Sequence, residues 1–218
     1  MKLFRLDASI RTEGSVSRRL ADAVEQQWLA QHPHSTVIRR DVGQEPLPPL
    51  WPAAVTAGFL PPEVERTPDQ LAGARLAAEL VDELQAADAF VFAVPIYNWG
   101  VPQHLKHWID LIHTDPRTRA ADGTLLDGRP GVVVEARGGG YAPGTPREGW
   151  DHVTPYLTHV FGDLWGLELS FARAELTLAD VNPAMHHLRD LAAQQLTAAE
   201  EVASAHGAHV ARRLRASA

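Results

Sequence analysis

Three short stretches of this chain gather residues able to hold an anion, a flat ring, or both. The first, "DASIRTEGSVSRRLA" at 7–21, carries hydroxyls at Ser9, Thr12, Ser15 and Ser17, a turn-forming Gly14 and a cation at Arg11. A helix starting within it would present unsatisfied, partially positive N–H groups, which suits a phosphate. The alternative is a serine N-cap with nothing bound. The stretch matches neither the Walker A pattern nor the G-x-G-x-x-G dinucleotide loop. The second, "PIYNWGVPQHLKHWIDLI" at 95–112, sets Tyr97, Asn98 and Trp99 between Pro95, Gly100 and Pro102. A loop that only connects needs no aromatic rings, whereas one clamped between rigid elements can aim them. The third, "EARGGGYAPGTP" at 135–146, places Arg137 beside Gly138, Gly139 and Gly140. Such a run is either a flexible turn or a place where a flat ligand touches the backbone, with Arg137 as a fixed cation.

The elements that must position these stretches are legible from periodicity. Apolar, partly β-branched runs at "KLFRLD", "STVIRRDV", "AFVFAVP" (89–95), "GVVVEA" (131–136) and "LELSFARA" (167–174) read as five strands. Helical patterns lie between them. Residues 15–31 put Leu20, Ala21, Val24 and Trp28 on one face, and Pro68 to Ala87 offers Leu71, Ala74, Leu76, Leu80 and Leu84. Leu105, Trp108, Ile109 and Ile112 fall at i, i+3, i+4 and i+7, as do Leu157, Val160, Phe161 and Leu164. A final helix is expected from near Pro183 almost to the C-terminus. This β/α alternation predicts an α/β, flavodoxin-like three-layer sandwich, a five-stranded parallel sheet in the order 2-1-3-4-5 with helices on both faces.

In that arrangement the loops after strands 1, 3 and 4 meet beyond the carboxyl ends of the strands. Together they offer a phosphate cradle, an aromatic edge and a run of exposed N–H groups. A flat, phosphorylated heteroaromatic cofactor fits, and flavin mononucleotide (FMN) is the candidate.

The composition is that of one soluble domain over residues 1–218, with 45% hydrophobic and 22% charged residues. A formal charge of −7 argues against nucleic acid or an anionic membrane as partner. The absence of cysteine excludes disulfides and thiolate chemistry. No apolar run is long enough to span a bilayer, and the N-terminus lacks a signal-peptide core, so a cytoplasmic protein is expected. The Pro-rich insertion at 43–68, with Trp51 and Phe59, is either a long surface connection or a lid over a pocket.

"SIRTEGSVS", "PIYNWGVPQHLKHWIDLI", "ARGG" and "VTPYL" resemble the FMN-dependent NADH-azoreductases, relatives of the NAD(P)H:quinone oxidoreductases, over nearly the whole chain. The resemblance implies FMN with NADH or NADPH as donor, and a quinone or azo compound as acceptor, served in turn by a ping-pong mechanism. It implies that Ser9, Ser15, Val16 and Ser17 hold the phosphate, with Arg11 nearby. Ile96, Tyr97, Asn98 and Trp99 would run along the isoalloxazine near N5 and O4. Ala136, Arg137, Gly138 and Gly139 would meet its pyrimidine end near N1 and O2. Oriented dipoles or a cation there would stabilise the charge of the reduced ring, so Asn98 and Arg137 are supporting residues and no acid or base is essential. It further implies a homodimer, for which Trp108 and Trp150 are candidate exposed aromatics. Two departures bear on the substrate side. Ala136 stands where the family usually has Ser or Thr, and the family's Gly-x-Thr-Phe segment is replaced by a shorter, non-aromatic "HTDPRTRAADG" at 113–123.

Other chemistries are less well supplied. Of the eleven histidines, His104 and His107 pair at i, i+3, as do His206 and His209, but neither pair has an evident third ligand, so no metal is expected. No G-x-S-x-G elbow occurs. The remaining alternative is a flavodoxin-like electron carrier, or a general FMN reductase without a dedicated small-molecule acceptor.

Overall fold

The computed structural model describes residues 1–61, 63–119 and 124–216. Strands β1 (Lys2–Asp7), β2 (Thr36–Asp41), β3 (Ala89–Pro95), β4 (Pro130–Ala136) and β5 (Glu168–Ala174) form one parallel sheet in the order 2-1-3-4-5, as expected. Every residue of β3 and β4 is buried, which is why both read as unbroken apolar runs.

Alternation along the strands feeds two cores. Phe4, Leu6, Phe90, Phe92 and Val133 pack under α3 (Pro68–Gln85) and α4 (Gln103–Ile112). Leu3, Val91, Ala93, Val132 and Val134 pack under α1 (Val16–Gln31) and the long C-terminal α6 (Arg189–Ala216). The expected face of α1, Leu20, Ala21, Val24 and Trp28, is buried throughout.

Several local expectations are corrected. The insertion at 43–68 contains a helix, α2 (Trp51–Phe59), which lays Ala54 against Gly73 of α3. The buried stripe of α3 is therefore Gly73, Ala77, Leu80, Val81 and Leu84, while Leu71 and Ala74 are exposed. The helix α5 begins earlier, at Thr154–Leu157, and continues as a π-helical turn over Thr158–Leu164. The wider winding carries Leu164 off the buried face, leaving it 57% exposed, and Trp165 enters the core instead. A 3₁₀ turn, Pro183–Leu188, precedes α6. Trp108, expected at an exposed surface, is fully buried, stacked on Phe4 at 6.0 Å and edge-on to Trp165 at 5.6 Å. Its place in the i, i+3, i+4 stripe of α4 aims it at the sheet. Among the described residues, no helix is long and apolar enough to cross a membrane.

Candidate FMN site

The serine loop leaves β1 at Asp7 and enters α1 at Val16, with Gly14 at φ +64°. Ser15 is the N-cap residue, yet its hydroxyl makes no cap hydrogen bond and faces the Ser17 hydroxyl at 3.4 Å. The first intrahelical bond runs from the Arg19 N–H to the Ser15 carbonyl, and the first turn contains no acid. The N–H groups of Val16, Ser17 and Arg18 thus open toward the cleft without a competing side chain, an arrangement suited to an anion. Ser9, Ser15 and Ser17 are buried in the loop's inner wall, and Arg11 lies exposed at its rim.

Two braces of this loop escaped sequence reasoning. Arg18 donates to the carbonyls of Ser9 and Arg11, both at 2.8 Å, and grips Asp41 with two bonds of 2.6 and 2.8 Å. It thereby turns loop carbonyls toward itself. Gly43, at the start of the insertion, passes so close that a Cβ would collide with the Ser9 carbonyl oxygen and lie 2.5 Å from the carbonyl carbon. Gln44 adds a side-chain bond to the Ile10 carbonyl at 2.9 Å. Apart from this bracing, none of the described residues of 43–68 lines the cleft.

The aromatic stretch is a two-residue hairpin. Tyr97 and Gly100 exchange both backbone bonds, at 3.1 and 3.0 Å, and Asn98 and Trp99 take φ of 48° and 64°. Such a turn favours Asn and Gly, so a tryptophan there costs about 1 kcal/mol. Trp99 is pushed outward, 40% exposed, and meets Trp150 edge-on at 5.5 Å. Tyr97 points the other way. Its hydroxyl accepts the Ile10 N–H at 3.2 Å and lies 3.5 Å from the Ser9 hydroxyl, tying the hairpin to the serine loop.

The glycine loop is held by a buried ionic cluster. The Arg137 guanidinium bonds Glu135 at 2.6 Å, Asp151 at 2.6 Å, Glu175 at 3.2 Å and the Thr154 hydroxyl at 2.9 Å. Glu135 is fully buried and takes a further bond from Arg173 at 3.1 Å. This corrects the expectation of Arg137 as a cation offered to a ligand, because its charge is spent on carboxylates and it lines neither the cleft nor the cavity beside it. Burial works against its charge, but Glu135 and Asp151 more than offset this and keep it firmly protonated. Burial likewise pushes the Asp151 carboxyl up, but hydrogen bonds from Thr154 and Val153 and the charge of Arg137 hold it below the ordinary carboxylate range. Arg137 N–H is also occupied, by the Ala174 carbonyl at 2.8 Å. Among the described residues, the N–H groups of Gly138, Gly139, Asn98 and Trp99 have no protein acceptor.

The three loops converge on one cleft of about 1010 Å³. Its wall includes Ser9, Arg11, Ser15, Val16 and Ser17 from the first loop, then Ile96, Tyr97 and Asn98, and finally Ala136 and Gly138. Trp99 and Gly139 instead line an adjoining cavity of about 710 Å³. Further cleft residues not anticipated are Thr177 and Leu178, after β5, and His104, Lys106, His152 and Tyr156. Burial, then the charge of Asp110, pushes the Tyr156 phenol up to about 12, so it stays protonated. The segment 113–123 stays away from the cleft over its described part, where Arg117 bonds Asp82 and Asp115, and 120–123 lie outside the described residues.

The flavodoxin-like fold family model matches residues 1–196. A protein of Parafrankia sp. (strain EAN1pec) named FMN-dependent NADH:quinone oxidoreductase is 41% identical over 204 residues, 92% of this chain and 96% of its own. One of the same name from Streptomyces avermitilis is 40% identical over 215 residues, 98% and 99% of the two chains. Among solved structures, an azoreductase from Bacillus anthracis str. Sterne superposes with a TM-score of 0.78 at 23% identity, covering 96% of this chain and 99% of the other. An FMN-dependent NADH-azoreductase from Bacillus anthracis str. Ames Ancestor, in complex with FMN, gives 0.69 at 20% identity, covering 93% and 97%. At these identities the two structures speak for the fold.

Proposed function

The chain belongs to the flavodoxin-like fold family, and from that membership we propose an FMN-dependent oxidoreductase that passes two electrons from NADH to a quinone or azo compound. The observation that carries it is the α1 N-terminus, where Ser15 leaves its own cap unmade and an open N–H cradle faces the cleft. These residues fit FMN. Ser9, Ser15, Val16 and Ser17 hold the phosphate with Arg11 at the rim. The acceptorless N–H groups of Asn98 and Gly138, which line this cleft, would meet the polar edges of the ring, while Trp99 and Gly139 line the adjoining cavity. When bound, FMN supplies the two-electron chemistry that no side chain of this protein can.

The chain's own contribution is placement and charge. Tyr97 joins the ring hairpin to the phosphate loop, so both ends of the cofactor are registered against each other. The Arg137 cluster fixes the glycine loop from behind rather than facing the ring. One cleft serves donor and acceptor in turn, and because the hydride chemistry would be that of FMN, no protein acid or base is essential. A homodimer in the cytoplasm belongs to the same proposal, its support being the family resemblance, and light scattering of the holoprotein tests the dimer. Reciprocal rate against reciprocal NADH at several quinone concentrations should give parallel lines. Intersecting lines would place both substrates on the protein together and end the single-site account. A protein that binds FMN, is bleached by NADH and then reduces only a partner protein would instead be a carrier.

A further inference from the structure

The cavity of about 710 Å³ beside the cleft meets it at Ile96, Asn98, Gly138 and Leu178, on the far side of the Trp99 hairpin. We infer that this cavity takes the adenosine diphosphate half of NADH, with Arg147 pairing the pyrophosphate and Gln195 reading the adenine edge. The inference rests on NADH being the donor, as proposed above.

Arg147 is the first reason. Its guanidinium lies over the Trp99 ring at 5.6 Å and the Trp150 ring at 4.9 Å. Among the described residues it has no carboxylate partner. The acids nearby are engaged elsewhere: Glu148 accepts the Gly144 N–H at 2.7 Å, and Glu175 is held by Arg137 and the Tyr141 N–H. The cavity is therefore left with a cation fixed in place by two indoles, its planar fork unspent. That geometry selects phosphate oxygens.

Gln195 is the second. It projects from α6 into a wall of Leu176, Met185, Leu188 and Leu191, and its buried Oε1 has no hydrogen-bond partner among the described residues. An unsatisfied buried amide atom is costly and calls for a ligand group. Adenine presents an amine donor beside a ring acceptor, which matches a glutamine amide in either orientation. The apolar wall accepts the purine faces. A quinone offers neither a phosphate nor an aminopurine edge, so the pair of features favours the dinucleotide over the acceptor.

The test uses the FMN-loaded protein in anaerobic stopped flow, with flavin bleaching driven either by NADH or by reduced nicotinamide mononucleotide, which lacks the adenylate. Arg147→Gln should raise the apparent Kd for NADH about tenfold and Gln195→Leu about threefold, the losses expected for a charged and a neutral hydrogen bond. FMN occupancy, the limiting bleaching rate and the response to reduced nicotinamide mononucleotide should not change. Arg147→Lys should recover part of the NADH affinity, and 5′-AMP should compete with NADH in the wild type. Equal losses with both donors, or no loss with NADH, would overturn the inference alone. No bleaching of the wild type by either donor would overturn the NADH reading, and this inference with it.

Discussion

Replacing Arg137 with alanine separates two roles for this residue. A cation facing the ring would tune the flavin and contribute little to folding. The guanidinium instead sits among three carboxylates with one further arginine, a cluster of net charge −1 that becomes −2 when Arg137 is removed. Glu135 has no solvent exposure and would keep only Arg173 and the Thr154 hydroxyl. Breaking a buried pair by deleting one partner costs about 3–5 kcal/mol, and the surviving Arg173 and the partial exposure of Asp151 place this case near about 3. For a chain of this size that lowers Tm by about 6–12 °C. The loop backbone keeps its own anchors, Arg137 N–H to the Ala174 carbonyl and the Thr177 N–H to the Arg137 carbonyl, so FMN should still bind, with reduced affinity. Calorimetry of apo and FMN-loaded protein, with a fluorescence titration of FMN, measures both quantities. The double variant Glu135→Gln/Arg137→Gln should recover much of the loss, because it removes the stranded charge. An alanine variant that melts within about 1 °C of the wild type, with a shifted flavin reduction potential, would refute the buried-cluster account.

Gly43→Ala should weaken FMN binding strongly while sparing the sheet, since the added methyl must displace the Ser9 backbone; an unchanged FMN titration would dismiss Gly43 as a brace. The Ser15→Asp/Ser17→Asp variant should repel the phosphate and bind FMN far more weakly than the corresponding alanines, and equal affinities would remove the phosphate from this loop. Trp99→Gly should leave Tm unchanged or raised, by relief of about 1 kcal/mol of left-handed strain, so any cost appears in turnover; a large fall in Tm would mean the Trp99–Trp150 contact is structural. The Asp151 carboxyl lies below its ordinary range in the folded protein, so its stabilising contribution is full above that range and lost as pH falls through the folded value. Asp151→Asn should flatten the acid limb of a Tm–pH profile, and an unaltered limb would assign the acid sensitivity to other carboxylates.

The sheet and the identity of the cleft loops were legible in the sequence because each depends on local pattern. Short unbroken apolar runs closed by a turn residue, such as "AFVFAVP", read as strands covered on both faces, and the β/α alternation then favours a parallel sheet with its loops at one edge. Ser9, Ser15, Tyr97 and Gly138 followed from loop chemistry at that edge. What tertiary structure decided was the direction and partnership of side chains. Arg137 stands two residues from Glu135, just past the end of β4, but Asp151 and Glu175 reach it, and Arg173 reaches Glu135, from distant loops and strands, so its sequence neighbours do not show how fully its charge is spent. Gly43 is indispensable only because Ser9 passes against it, and Arg18 reads as an ordinary helical cation until Ser9, Arg11 and Asp41 surround it. The stripe Leu157, Val160, Phe161 and Leu164 keeps helical spacing on paper. The π-helical turn nevertheless sends Leu164 to solvent and Trp165 inward, because the aromatic core beside Trp108 and Phe161 is filled by packing across the fold, which one-dimensional spacing does not encode.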